Sequence, residues 1–206
     1  MPLLRRDFLK ASLAAATAAA LGSPLSATAA TSPIREYYEL RCYRLQAGTR
    51  LKADAEAALL DAYLTGAMLP ALAKAGISNT GVFTELDINK EAATSTPKAH
   101  SPVWVLIPHA TLESFVHVSA TLNADPAVQT AGASYLQVPK ATPAFERIDS
   151  WLLLAFAGMP MLELPAFSRD RVPTRVFEMR DYESHSELKA LNKMAEEGMI
   201  TPTERT

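Results

Sequence analysis

The sequence predicts an α+β fold. Its core is one β-α-β-β-α-β unit, the split βαβ arrangement of ferredoxin-like domains, with an incomplete second copy at the C-terminus. Three observations predict it. From about residue 34, strand-like and helix-like patterns alternate in that order. A six-residue motif, aromatic-Glu-apolar-Arg-x-Tyr, occurs as Tyr38-Glu39-Leu40-Arg41-Cys42-Tyr43 and again as Phe177-Glu178-Met179-Arg180-Asp181-Tyr182. Each copy precedes a helix-like segment, and the copies lie 139 residues apart. That spacing far exceeds a solenoid period of roughly 20–50 residues and points to duplication of a whole domain.

Residues 37–45 form the first expected strand. Alternation places Tyr38, Leu40 and Cys42 on one face and Glu39, Arg41 and Tyr43 on the other. A helix is expected over residues 51–75, where Leu60, Leu64, Met68 and Leu72 recur every four residues as one apolar stripe. Pro70 lies inside it and predicts a kink or a break, because proline has no N–H to give. Gly76 sits where a left-handed C-cap belongs. Residues 81–86 read as strand two, and the polar residues 87–102, with Pro97 and Pro102, as an exposed loop. The apolar run 103–107 reads as strand three, buried on both faces. Thr111 is the expected N-cap of a second helix whose inward residues are Leu112, Phe115 and Val116. Asp125-Pro126 interrupts that helix, and a further helical piece reaches Leu136. Residues 151–156 are strand four. Helices on one face of such a sheet leave the other to be covered by a second sheet or chain.

The unit spans residues 34–157, and a linker over 158–174 carries Pro160, Pro165 and Pro173. The second copy occupies 175–206, with a strand over 175–182. A capping box, Ser184-His185-Ser186-Glu187, then opens a helix whose stripe is Leu188, Leu191, Met194 and Ala195 and which ends at Gly198.

Residues 1–29 read as an export leader. Arg5-Arg6-Asp7-Phe8-Leu9-Lys10 is a basic start of twin-arginine type, followed by an alanine-rich apolar stretch and the cleavage pattern Ala27-Thr28-Ala29. The apolar stretch is shorter than the roughly 20 residues a membrane span needs. A periplasmic or secreted protein without stable membrane insertion is expected. The 20 basic and 22 acidic side chains become 17 and 21 once Arg5, Arg6, Lys10 and Asp7 leave with the leader, a net charge of −4. A mildly acidic body disfavours nucleic-acid binding. Cys42 is the only cysteine, so no disulfide can form within the chain. It reads as a small buried hydrophobe.

The repeated strand, Leu69-Pro70-Ala71-Leu72 before Gly76, Gly81-Val82-Phe83, the stretch from Val103 to Pro108 and Leu122-Asn123-Ala124-Asp125-Pro126 together resemble the NIPSNAP family of the dimeric α/β-barrel superfamily. The resemblance covers about residues 36–198. It implies a ferredoxin-like unit whose sheet packs face to face with a second one as a barrel, and hence a homodimer. The second copy stops short of that pattern. Either the complete unit finds its partner in another molecule, or the chain is a non-functional truncated product of a longer two-copy protein.

The candidate barrel-lining residues are Glu39, Arg41, Tyr43 and His109, with Glu178, Arg180 and Tyr182 as repeat counterparts. An acid, a guanidinium and a phenol on one strand face can hold a small polar or carboxylate ligand, because arginine pairs bidentately with carboxylates. The competing reading is a cross-strand Glu–Arg ion pair stabilising the dimer interface. His109 and His117 flank the start of helix two, whereas His100 and His185 read as solvated. Asp54, Glu56 and Asp61 read as solvating charges, and Trp104 and Trp151 as core aromatics. No histidine or cysteine has metal-ligand spacing, and no nucleophile elbow, phosphate loop or dinucleotide fingerprint is present. No metal or cofactor is therefore expected. The reading is a dimeric small-molecule or partner-binding protein without catalysis. The alternative, from sibling families, is a cofactor-independent or haem-assisted oxidoreductase or isomerase using the barrel interior.

Overall fold

Strand β1, Tyr37–Arg44, pairs antiparallel on both sides, with β5 (Val103–His109) and with β6 (Arg147–Leu154). Strand β2, Gly81–Thr84, pairs with the far side of β5, so the sheet runs β2-β5-β1-β6. The molecule is thus a mixed α+β protein with antiparallel sheets, known here from a computed structural model that describes residues 34–45, 50–164, 176–181 and 183–196. The leader residues Arg5, Arg6, Ala27 and Ala29, and also Tyr182 and Gly198, lie outside the described residues.

The helical stretch after β1 divides into α1 (Arg50–Tyr63), a π-helical turn (Leu64–Met68) and α2 (Leu69–Lys74). Pro70 explains the division. The Leu69 N–H reaches the Leu64 carbonyl five residues back, and the wide turn leaves Pro70 in the first turn of α2, where its missing N–H costs nothing. Gly76 takes φ +86°, and Ile77 N–H closes on the Leu72 carbonyl at 2.9 Å, which ends the helix as expected. The predicted stripe is the core: Leu60, Leu64, Met68 and Leu72 are all within 1% of complete burial. They pack with Tyr43, Val103, Val105 and Ile107 of the sheet and with Val118 and Leu122 of α3 (Leu112–Ala124). Each such side chain contributes about 1.5–3 kcal/mol by leaving water.

Thr111 caps α3 by accepting from Ser114 N–H at 3.1 Å, and Asp125 caps α4 (Pro126–Ala131) through Ala127 N–H at 2.8 Å. Short α5, Ala133–Leu136, completes this side and buries Tyr135.

Several expectations are corrected. Residues 87–102 are not simply a loop: β3 (Leu86–Asn89) and β4 (Thr94–Pro97) form an exposed hairpin, with Ala93 at φ 51° in its turn. Strand three is buried on one face only, because Val103, Val105, Ile107 and His109 face the helices while Trp104, Leu106 and Pro108 alternate with them towards the other side. Leu112 and Val116 are exposed on α3, whose inward residues are Val118 and Leu122 one turn further on. Strand four begins four residues early, at Arg147, and its apolar run stays 41–46% exposed from Trp151 to Leu154. Glu56 is buried, not solvating. The expected second-copy strand does not form: residues 176–181 have no strand pairing, and the helix that follows, α6 (Glu187–Glu196), starts after Ser186. Ser184 accordingly accepts from Ser186 N–H at 3.3 Å, one residue short of the Glu187 N–H that the expected capping box would engage.

Candidate functional site

Glu39, Arg41 and Tyr43 do share one face of β1, but it is the face against the helices. Register fixes this: Glu39 lies opposite Ile107, Arg41 opposite Val105 and Tyr43 opposite Val103, all core residues. Arg41 grips Glu39 as a fork, Nε to Oε1 at 2.5 Å and Nη2 to Oε2 at 2.9 Å. Residues two apart on a strand point the same way, so the pair forms within one strand and not across two. Ser150 of β6 donates to Glu39 Oε1 at 2.8 Å, and Arg41 Nη2 donates to Ser119 Oγ of α3 at 3.2 Å. One ion pair therefore ties β6, β1 and α3 together. Burial opposes the charge on Arg41, but the Glu39 carboxylate outweighs it and raises the guanidinium pKa further. A buried carboxylate needs such a partner, since an isolated one loses its hydration uncompensated.

His109 belongs to the end of β5, not to helix two, and is completely buried. Its Nδ1 lies 3.0 Å from Ser114 Oγ, and Phe115 meets its ring edge-on at 5.7 Å. Its Nε2 is 3.8 Å from Glu39 Oε2, too far for a hydrogen bond, and has no other partner. Burial lowers the imidazole pKa, the Glu39 carboxylate works against that, and Arg41 reinforces it. The ring therefore stays neutral to lower pH than an ordinary histidine, with Nε2 open. His117, His100 and His185 are exposed.

Beside this set lies a phenol cluster. Tyr43 donates to Met68 Sδ at 3.8 Å, and Tyr63 stacks on Tyr135 with ring centroids 4.6 Å apart. Burial first, then the Tyr43 phenol, pushes the Tyr63 and Tyr135 hydroxyls upward, and the Tyr135 hydroxyl is buried without a partner. Sequence reasoning missed Ser114, Ser119, Ser150, Tyr63 and Tyr135. Only Ser150 had a legible signal: a fourth strand begun at Arg147 puts it on the Glu39 face by alternation.

No family model matches the chain, and a search of curated proteins finds no match.

The opposite face of the sheet carries Tyr38, Leu40, Leu106, Trp104, Trp151 and Leu153. Trp104 and Trp151 stand on the two strands flanking β1 and stack across it, ring centroids 5.8 Å apart, and Cys42 beneath is completely buried. Trp104 Nε1 donates to Glu85 Oε1 at 3.1 Å, and Lys98 holds the other oxygen and keeps that carboxyl below its ordinary range. Trp151 and Leu153 remain 41% and 44% exposed. Of the repeat counterparts, Glu178 and Arg180 pair with each other at 3.0 Å on the surface. Among the described residues, no three His, Cys, Asp or Glu side chains converge as metal ligands, and no helix is long and apolar enough to cross a membrane.

Proposed function

We propose that this chain is an exported ferredoxin-like protein of NIPSNAP type that pairs sheet to sheet with a second copy and binds a small molecule or partner without catalysis. The observation that carries the reading is the apolar sheet face of Trp104 and Trp151, which the described helices do not cover and on which Trp151 and Leu153 stay 41% and 44% exposed. Large contiguous apolar patches on monomers are rare and mark association surfaces. Strand order supports the ferredoxin-like unit: in chain order, the four strands of the main sheet stand 2-3-1-4, with helices packed on one face. The twin-arginine pattern supports export. The inward polar set supports binding less than stability, because Arg41 is already gripped by Glu39.

Native mass spectrometry of the protein from Ala30 tests this. An assembly that Trp151→Glu reduces in size is expected, and a reproducible added mass on it identifies the ligand. A monomeric wild type, or a dimer indifferent to Trp151→Glu, overturns the pairing.

One observation favours a second reading, catalysis between sheet and helices. The fully buried, neutral His109 offers an unpartnered Nε2 beside the Glu39 carboxylate, the arrangement of a proton acceptor. A turnover that His109→Gln abolishes while the dimer persists would establish it.

A further inference from the structure

Strand β6 is an edge strand with apolar side chains on both faces. Trp151 and Leu153 point to the open side, and Ile148, Leu152 and Leu154, placed by register opposite Tyr43, Glu39 and Tyr37, point to the helix side. All five are 39–46% exposed. The described helices therefore stop short of β6, and among the described residues its outer row of N–H and C=O groups faces no strand. Native proteins blunt such an edge or cover it.

The inner edge of β6 is already covered, by β1, over eight paired residues. The chain carries a second segment of β1 type, Phe177-Glu178-Met179-Arg180-Asp181-Tyr182, and its described residues 177–181 form no strand. Its apolar side chains Val176, Phe177 and Met179 are 51–64% exposed. Helix α6 follows at once, with Leu188 59% exposed and Leu191 and Met194 on the same stripe.

We propose that this strand–helix segment of one copy adds to the outer edge of β6 in a second copy. Three features fit. A β1-type sequence is the one β6 already accepts, antiparallel, on its other side. In β1 the connection to the next helix leads away from β6 and across β5, since β2 lies beyond β5. A segment added outside β6 in the same direction carries its helix, by the same right-handed sense, back over β6. That position brings the stripe of α6 onto Ile148, Leu152 and Leu154, the residues the resident helices leave bare. The acceptor is a second copy because Phe177 rests on Phe83 of β2, at 5.3 Å, on the sheet edge opposite to β6. This contact is separate from the face-to-face pairing proposed above, and neither requires the other.

Disulfide trapping between two differently tagged full-length chains, each carrying one substitution, tests the proposal. In the β1 register Glu39 lies opposite Leu152, so Glu178 takes that position in the added strand. A chain with Glu178→Cys is mixed with one carrying Leu152→Cys, or with one carrying Val82→Cys on the β2 edge as control. Bridging requires Cα atoms within about 7 Å, so only matched positions link. A mixed-tag disulfide dimer is expected with Leu152→Cys, absent with Val82→Cys, and lost when Met179→Pro is added to the Glu178→Cys chain. No link at Leu152→Cys, equal linking at Val82→Cys, or linking that survives Met179→Pro overturns the proposal. Trp151→Glu in a parallel mixture separates this contact from the face-paired dimer, which that change alone disrupts.

Discussion

Arg41 and Glu39 show how one pair decides what a strand face does. Both side chains are nearly buried, at 14% and 6% exposure, so removing one leaves the other charged in a poorly solvated place. Arg41→Ala is expected to cost about 3–5 kcal/mol in chemical denaturation, and the double change Arg41→Ala with Glu39→Ala less than the single one. Because the pair faces the helices, the loss falls on the fold and leaves sheet-to-sheet pairing unchanged. His109 makes a different prediction. Its folded pKa lies below the unfolded value near 6.5, so the unfolded chain binds the extra proton as pH falls through that value. Stability held at pH 7.5 declines from about pH 6.5 downward, and urea titrations at pH 7.5 and 5.5 will show the decline shrink in His109→Gln. Asp149, Asp125 and Glu85, whose pKa values are lowered by Arg44, by the Ala127 amide and by Lys98, lose their contributions only in more acid solution.

At the scale of elements, two glycines ten residues apart make opposite predictions. Neither Gly66 nor Gly76 has anything within 4 Å of an added Cβ, so backbone conformation alone decides. Gly76 holds φ +86°, and Gly76→Ala is expected to destabilise by about 1–2 kcal/mol. Gly66 lies within the π turn of a helical stretch, and Gly66→Ala is expected to stabilise by about 0.4–1 kcal/mol through the unfolded chain. Thermal melts of the two variants check both signs. Elements with local determinants were legible: the four-residue stripe, the Pro70 break, the Gly76 cap and the Thr111 cap all follow from neighbours in sequence. The β3–β4 hairpin was not, since residues 87–102 have no apolar alternation and the strands pair while exposed on both faces. The second-copy strand failed for the opposite reason. Its local pattern is that of β1, but β1 is a strand because β5 and β6 flank it, and residues 176–181 have no such neighbours.

For the whole molecule, the sequence placed Glu39, Arg41 and Tyr43 on a common face but not on the correct side of the sheet. Alternation separates two faces without saying which one the helices cover. The deciding facts are long-range, the packing of Tyr43 on Met68 and of Arg41 on Ser119. The reversal leaves Tyr38, Leu40 and the tryptophans on the side that a second sheet would meet. If that face pairs, association stabilises the folded state by mass action, so the melting temperature is expected to climb with protein concentration. Trp151→Glu weakens the dependence. Differential scanning fluorimetry across a hundredfold dilution series, about 2.7 kcal/mol in binding terms, is enough to see it.

The chain holds two tryptophans, and they are stacked on each other on the same side of the sheet. Every photon of indole emission therefore originates at that one surface. Its colour and lifetime gauge whether water or another protein lies over β1, undisturbed by events among the helices, so the molecule carries its own label for the assembly step.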